Sequence, residues 1–89
     1  MPTIAQFYGI LVQMFFNDHN PPHFHVRYGN AHAIVRISDG SIINGALPPT
    51  AARLVKDWTL LRQRELEQNW ARARAMSALE RIAGPDGQG

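Results

Sequence analysis

The chain has 89 residues, 45% of them hydrophobic, and a formal net charge of +2. This length accommodates one domain with a small core and leaves little room for a second. The absence of cysteine excludes disulfides and thiolate metal sites, which leaves His, Asp and Glu as the metal-binding side chains.

The beginning of the sequence lacks the basic segment of a signal peptide. No apolar run approaches the roughly 20 residues that a membrane span needs. A cytoplasmic location without membrane contact is therefore expected.

The first half of the chain predicts an antiparallel meander of four to five strands. We interpret residues 1–6 as an extended lead-in. Residues 7–16, rich in aromatic and branched side chains, are predicted to form a first strand. Because both faces of this strand are largely apolar, it is expected to be central in the sheet. Residues 17–22 must form a loop, since the two prolines cannot donate ladder hydrogen bonds.

Two turn sequences then predict two hairpins. Gly29-Asn30 separates a strand over 23–28 from one over 31–37, and Asp39-Gly40, predicted as a type I′ turn, precedes a short strand over 41–45. With Gly29-Asn30 as the tight turn, the register places Phe24 and Val26 toward the core. The opposite face is predicted to be an exposed polar surface, and it carries His23, His25, Arg27, His32 and Arg36.

The second half predicts one long helix packed on one face of the sheet, from about Pro49 to about Met76. Its apolar stripe comprises Ala51, Leu54, Val55, Trp58 and Leu61. Leu66 and Trp70 lie to one side of this stripe, so Trp70 is a candidate partner contact. Residues 78–82 fit either a helical tail or a closing strand. The domain is expected to span residues 1–83, and residues 84–89 to form a disordered tail.

Three of the four histidines lie within the loop and the strand that follows it. On a strand, residues i and i+2 point the same way, so His23 and His25 could converge on one ligand. Imidazole suits zinc, copper, nickel or iron. The metal candidates are His19, His23 and His25, and a third ligand could instead be Asp18 or, across the hairpin, His32.

Two other interpretations remain open. His23 and His25 could act with Arg27 and Arg36 as a metal-independent, ribonuclease-like site. Alternatively, the histidines could hydrogen-bond within the loop and maintain its shape. The wider set of predicted binding residues is Asp18, His19, His23, His25, His32 and Trp70.

The run Asp18-His19-Asn20-Pro21-Pro22-His23-Phe24-His25 resembles the signature of an uncharacterised prokaryotic family, catalogued as domain of unknown function 4160. Other shared features are Tyr28-Gly29, Leu47-Pro48 and the two tryptophans, and the resemblance extends to about Ile82. Arg27 and Arg36 depart from the family, in which acidic residues are more usual there.

The resemblance implies a neighbouring gene for a second small protein, of the domain of unknown function 2442 type, in a toxin–antitoxin-like pair. It assigns no catalytic residue. We therefore predict an α+β interaction module in preference to an enzyme, with a ribonuclease-like enzyme and a metal-binding module as the alternatives. No cofactor is expected unless the histidines bind a divalent transition metal. Nucleic acid and a second copy of the chain are further candidate partners.

Overall fold

The computed structural model describes residues 2–87, which form a five-stranded antiparallel sheet followed by two helices. The strands lie side by side in chain order, so the predicted α+β meander is confirmed with five strands. Neither helix of the described part is long and apolar enough to cross a membrane. The elements are β1 (Thr3–Phe7), β2 (Ile10–Gln13), β3 (His23–Tyr28), β4 (Ala31–Arg36), β5 (Ile42–Ala46), α1 (Pro49–Leu61) and α2 (Gln63–Arg74).

The first hairpin corrects the predicted single strand over residues 7–16. Tyr8 and Gly9 have φ values of 51° and 77°, and together they reverse the chain between β1 and β2. Two consecutive positive φ angles are typical of a tight hairpin turn. Tyrosine is uncommon in this conformation, so the residue types did not predict the turn. Most of the predicted lead-in is therefore strand β1, while Met1 lies outside the described residues.

The second hairpin confirms the predicted register. Around Gly29-Asn30, His23 lies opposite Arg36 and Arg27 lies opposite His32. The third connection differs from the prediction, because only Gly40 in it has a positive φ, 71°. A type I′ turn would require two such residues, so residues 37–41 form a longer turn. The carboxylate of Asp39 organises it by accepting hydrogen bonds from the Ser41 N–H and hydroxyl.

The core lies between one face of the sheet and the two helices. The rings of Phe24 and Phe7 contact the indole of Trp58, with centroids 5.8 and 5.1 Å apart. Trp58 is fully buried, as its place in the apolar stripe predicted. The prediction for Leu61 was wrong, because its side chain is 60% exposed. Leu66, predicted to lie to one side, is instead fully buried in the core.

The predicted single helix is interrupted at Arg62. This residue has φ −108° and ψ 24°, which ends α1 and precedes α2. The interruption places two polar side chains for tertiary hydrogen bonds: Arg62 donates to the carbonyl of Gly84, and Gln63 donates to the carbonyls of Ile37 and Ser38. No proline or glycine stands at the joint, so the local sequence did not predict it.

The segment after α2 is neither helix nor strand, in contrast to both alternatives for residues 78–82. Asn69, fully buried on α2, donates through Nδ2 to the Glu80 carbonyl at 2.7 Å and accepts from the Glu80 N–H at 3.0 Å. The Ile82 N–H donates to the carbonyl of Ile4. The polar side chain of Asn69, on a packing face of α2, thus holds the segment after α2 against this helix. Residues 88–89 of the predicted tail lie outside the described residues, and the domain boundary at 83 stays a prediction.

Candidate metal centre

The loop before β3 carries Asp18 to one end of the sheet. Asn17 adopts a positive φ of 53°, a conformation that asparagine tolerates well. Its N–H donates to the carbonyl of Ala73 at 3.0 Å, which anchors the loop to α2. Asp18 Oδ1 accepts a hydrogen bond from the His19 N–H at 2.8 Å, which leaves Oδ2 directed toward β3.

His23 is the first imidazole that this carboxylate meets. Its Nδ1 lies 2.7 Å from the Pro21 carbonyl oxygen, and its Nε2 lies 2.9 Å from Asp18 Oδ2. Because a carbonyl can only accept, Nδ1 must carry a proton. In the neutral ring Nε2 then presents a lone pair to a carboxylate oxygen. The close contact is favourable only if a proton or a metal ion lies between the two atoms.

His25 directs its Nε2 toward the same carboxylate oxygen, at 3.7 Å. This nitrogen is buried and makes no hydrogen bond. Its other nitrogen, Nδ1, lies 3.5 Å from Nε2 of His32. The ring of Phe15 stacks on that of His25 with centroids 4.0 Å apart. The environment therefore orients the imidazole of His25 but leaves its inner nitrogen without a partner.

The electrostatics keep both groups in the forms that bind metals. Partial burial alone would raise the pKa of the Asp18 carboxyl, but the His19 N–H and the His23 imidazole outweigh it, so this pKa is lowered. Burial, followed by the proximity of His23, lowers the pKa of the His25 imidazole. Near neutral pH, Asp18 is thus an anion and His25 a neutral base. Metal ions bind these deprotonated forms.

Asp18, His23 and His25 each offer one ligand atom, and these atoms lie within 4.8 Å of one another. Ligands at about 2.0 to 2.1 Å from a common ion are at most about 4.2 Å apart. The two separations of 2.9 and 3.7 Å around Asp18 Oδ2 satisfy that limit. The third pair, the ring nitrogens of His23 and His25, lies within 4.8 Å. The three side chains could therefore hold a single transition-metal ion.

An aromatic side chain from α2 closes one side of this cluster. The indole of Trp70 packs on His23 with ring centroids 5.3 Å apart, and His23 is only 3% exposed. The prediction that His23 lies on an exposed face was therefore wrong. Trp70 is itself buried, and its role as a partner contact stays a prediction. Sequence reasoning missed Phe15, although strand alternation continued from Leu11 and Gln13 places it on the side of His25.

The remaining predicted site residues lie outside the group of Asp18, His23 and His25. His19 is highly exposed, and its Nε2 lies 3.6 Å from Asp18 Oδ1, outside the group of three. His32 and Arg27 are exposed on the sheet face beside His25. The guanidinium of Arg36 is held by Asp39 at 2.7 Å, which lowers the pKa of Asp39 and raises that of Arg36.

Comparison with known proteins places these residues in a family. Residues 9–71 match the family described as Domain of unknown function (DUF4160), which is more than half of the chain. The chain belongs to this family. No curated protein and no solved structure matches the DUF4160 chain. The matched range includes Asp18, His23 and His25, and it confirms the resemblance seen in the sequence.

The geometry of the DUF4160 site bears on its chemistry. A general base needs a nitrogen that can reach a substrate. Both nitrogens of His23 already face oxygens of the protein, and Arg36 is engaged by Asp39. The arrangement thus offers little to acid–base chemistry at these two residues. The arrangement is better suited to ligand binding, because Nε2 of His23 and Nε2 of His25 both face the carboxylate of Asp18.

Proposed function

We propose that this DUF4160 protein binds a divalent transition-metal ion through Asp18, His23 and His25. The supporting observation is the buried Nε2 of His25, which lacks a hydrogen bond and faces the same oxygen that Nε2 of His23 approaches. Buried polar atoms without partners are rare in folded proteins. A metal ion at the common point would give this nitrogen a partner.

The surrounding contacts resemble those of known metal sites. A ligating histidine usually donates its other ring N–H to a carbonyl or carboxylate, which fixes the tautomer. The Nδ1–H of His23 does this toward the Pro21 carbonyl. Two imidazoles and one carboxylate form a ligand set suited to zinc or ferrous iron, with positions left for an exogenous ligand.

A doubly protonated His23 is the competing explanation for the short contact. Its two N–H groups would donate to Pro21 and Asp18 without a metal. This explanation leaves Nε2 of His25 buried and unpaired. A metal ion would have to displace the Nε2 proton of His23, so failure of zinc to bind near neutral pH would favour this explanation, and binding would favour the metal centre.

Zinc and nickel titration of the untagged, chelator-treated protein tests the proposal, followed by calorimetry and thermal unfolding. We expect one equivalent to bind and the melting temperature to rise, because an ion that binds only the folded state stabilises it. His25→Gln should abolish both effects, whereas His32→Gln should retain zinc binding. Absence of binding by the folded wild type, or equal binding by His25→Gln, would contradict the proposal.

A second candidate function is binding to another small protein, as half of a toxin–antitoxin-like pair. Leu60 and Leu61 favour it, because these consecutive residues at the end of α1 are 50% and 60% exposed. Exposed apolar side chains at one place are typical of interaction surfaces. Co-expression with the neighbouring domain of unknown function 2442 protein tests this. Separate elution at micromolar concentration would contradict it, and Leu60→Ser with Leu61→Ser should disrupt a complex that forms.

A further inference from the structure

We infer that His32 is a positioning residue of the metal centre: its Nε2 accepts a hydrogen bond from Nδ1–H of His25 and so keeps Nε2 of His25 free to bind the ion. This inference rests on the proposed metal centre and adds to it a residue that does not touch the ion. His23 already has such an outer partner, because its Nδ1–H donates to the Pro21 carbonyl. His25 is the second imidazole of the centre, and its outer nitrogen faces His32.

The register of the hairpin formed by β3 and β4 brings these two histidines together. His25 lies directly opposite Ile34. His32 lies two residues before Ile34 on β4, so the two histidines are diagonal neighbours on one face of the sheet. Diagonal neighbours on paired strands are within reach of aromatic side chains. Because the Gly29-Asn30 turn sets this register, the contact follows from the sequence of the hairpin.

The rings of His25 and His32 meet edge to edge. Nδ1 of His25 lies 3.5 Å from Nε2 of His32, and the ring centroids lie 5.6 Å apart. The centroid separation exceeds the nitrogen separation by nearly two ring radii, so both nitrogens lie close to the line between the centroids. The ring planes differ by only 19°, so the rings are nearly coplanar. A proton on one of these nitrogens therefore points at the lone pair of the other, as in a long N–H···N hydrogen bond.

The surroundings of His25 decide which of its nitrogens carries the proton. A neutral imidazole has one ring N–H. A proton on Nε2 would give a buried N–H with Asp18 Oδ2 3.7 Å away, too far to accept a hydrogen bond, and a buried donor without a partner is destabilising. A proton on Nδ1 instead has the lone pair of His32 in front of it. Nε2 of His25 then presents an unshared electron pair toward Asp18, which is the form that binds metal ions.

Phe15 and His32 constrain the ring of His25 in different ways. The Phe15 ring stacks on it with centroids 4.0 Å apart, which restricts the tilt of the imidazole but does not distinguish its two nitrogens. The hydrogen bond to His32 does distinguish them, because the bond made by one nitrogen sets the form of the other. Loss of an outer partner of this kind weakens metal binding by about 10- to 100-fold. We therefore expect His32 to raise the metal affinity without being a ligand.

The test measures the tautomer of His25 and the zinc affinity separately. Long-range proton–nitrogen NMR of the metal-free full chain identifies the protonated nitrogen, and calorimetry then follows zinc binding. His32→Ala removes the acceptor, whereas His32→Gln supplies an amide oxygen that can accept from Nδ1–H. The control is Asn44→Ala, an exposed change on the same face of the sheet.

We expect the wild type to carry the His25 proton on Nδ1. His32→Ala should also populate the Nε2–H tautomer and bind zinc about tenfold more weakly. His32→Gln and Asn44→Ala should resemble the wild type in both measurements. Recovery in His32→Gln would separate the loss of the acceptor from a general disturbance of this face.

A proton on Nε2 of His25 in the metal-free wild type would overturn the role of His32. An unchanged tautomer or an unchanged zinc affinity in His32→Ala would overturn it too, as would equal losses of affinity in His32→Ala and His32→Gln. Failure of the wild type to bind zinc would instead contradict the metal centre, since the tautomer of the metal-free chain is measured without the ion.

Discussion

Oδ2 of Asp18 lies 3.7 Å from the buried Nε2 of His25, too far for a hydrogen bond but within the span of two ligands of one ion. The same oxygen lies 2.9 Å from Nε2 of His23. A single carboxylate oxygen thus faces two ring nitrogens. This relationship carries the proposal of a metal centre.

Asp18→Asn should weaken zinc binding by more than about hundredfold, since even outer-shell changes cost about 10- to 100-fold in metal affinity. The amide preserves the shape of the side chain but removes its charge, and it can place an N–H against the ring nitrogens. Calorimetric titration measures the effect. Asp57→Asn, an exposed change on α1, serves as the control. An unaltered affinity in Asp18→Asn would exclude Asp18 as a ligand.

Leu66→Ala should destabilise the protein by about 2 to 5 kcal/mol, the range for truncating a buried leucine. The matched variant Leu61→Ala removes the same atoms from a largely exposed position and should change the free energy of unfolding by less than about 0.5 kcal/mol. Urea denaturation measures both. Equal losses of stability in the two variants would contradict the burial of Leu66 and the exposure of Leu61.

Asn69→Ala should cost about 1 to 3 kcal/mol of stability, because it leaves the N–H and carbonyl of Glu80 without their partner. It should also make the segment around Glu80 more mobile. Amide hydrogen exchange at Ile82 would then be faster. Gln68→Ala, next to it and exposed, should have little effect. If exchange at Ile82 is as slow in Asn69→Ala as in the wild type, the Asn69 side chain does not hold the segment around Glu80 in place.

Tyr8→Asn should stabilise the protein by about 0.5 to 1 kcal/mol. Tyr8 has a left-handed backbone conformation that costs a residue with a bulky side chain about 1 to 2 kcal/mol. The change creates Asn-Gly, a sequence strongly favoured in tight hairpin turns. It removes only an exposed ring that meets Phe7 edge-on. A lower melting temperature in Tyr8→Asn would mean that this ring contact outweighs the backbone strain.

Asp39 should contribute a pH-dependent part of the stability. Hydrogen bonds from Arg36 and then Ser41 hold the pKa of its carboxyl below the ordinary value. The unfolded chain therefore takes up this proton first, and the contribution present above about pH 4 is lost as the pH falls further. Asp39→Asn should be less stable than the wild type near neutral pH, and the difference in melting temperature should shrink below about pH 4. A difference that is independent of pH would exclude the ion pair as its cause.

The sequence predicted those parts of the fold that depend on local patterns. Gly29-Asn30 stands between two alternating strands, so the register of β3 and β4 followed from the turn. The turn at Tyr8-Gly9 was not predictable in this way, because a tyrosine there contradicts its own backbone preference. The break at Arg62 depends on hydrogen bonds to distant segments, which no local pattern contains.

The candidate site likewise combines features that follow from local patterns with features that depend on tertiary contacts. Strand alternation was sufficient to place His23 and His25 on one side of the sheet. The choice of Asp18 over His19 depends on how the loop is anchored to α2 through Asn17. The burial of His23 depends on Trp70, which is far away in sequence. The pairing of His23 with His25 was therefore predictable, whereas the choice of Asp18 as the third member and the burial of His23 required the tertiary structure.

Nitrogen-15 NMR of the histidine rings during zinc titration tests the metal centre most directly, because it identifies the ligating atoms. The account predicts that Nε2 of His23 and Nε2 of His25 both acquire metal-bound chemical shifts at one equivalent of zinc, while the His32 ring does not bind. Unchanged shifts for His23 and His25, or binding at His19 alone, would contradict the account.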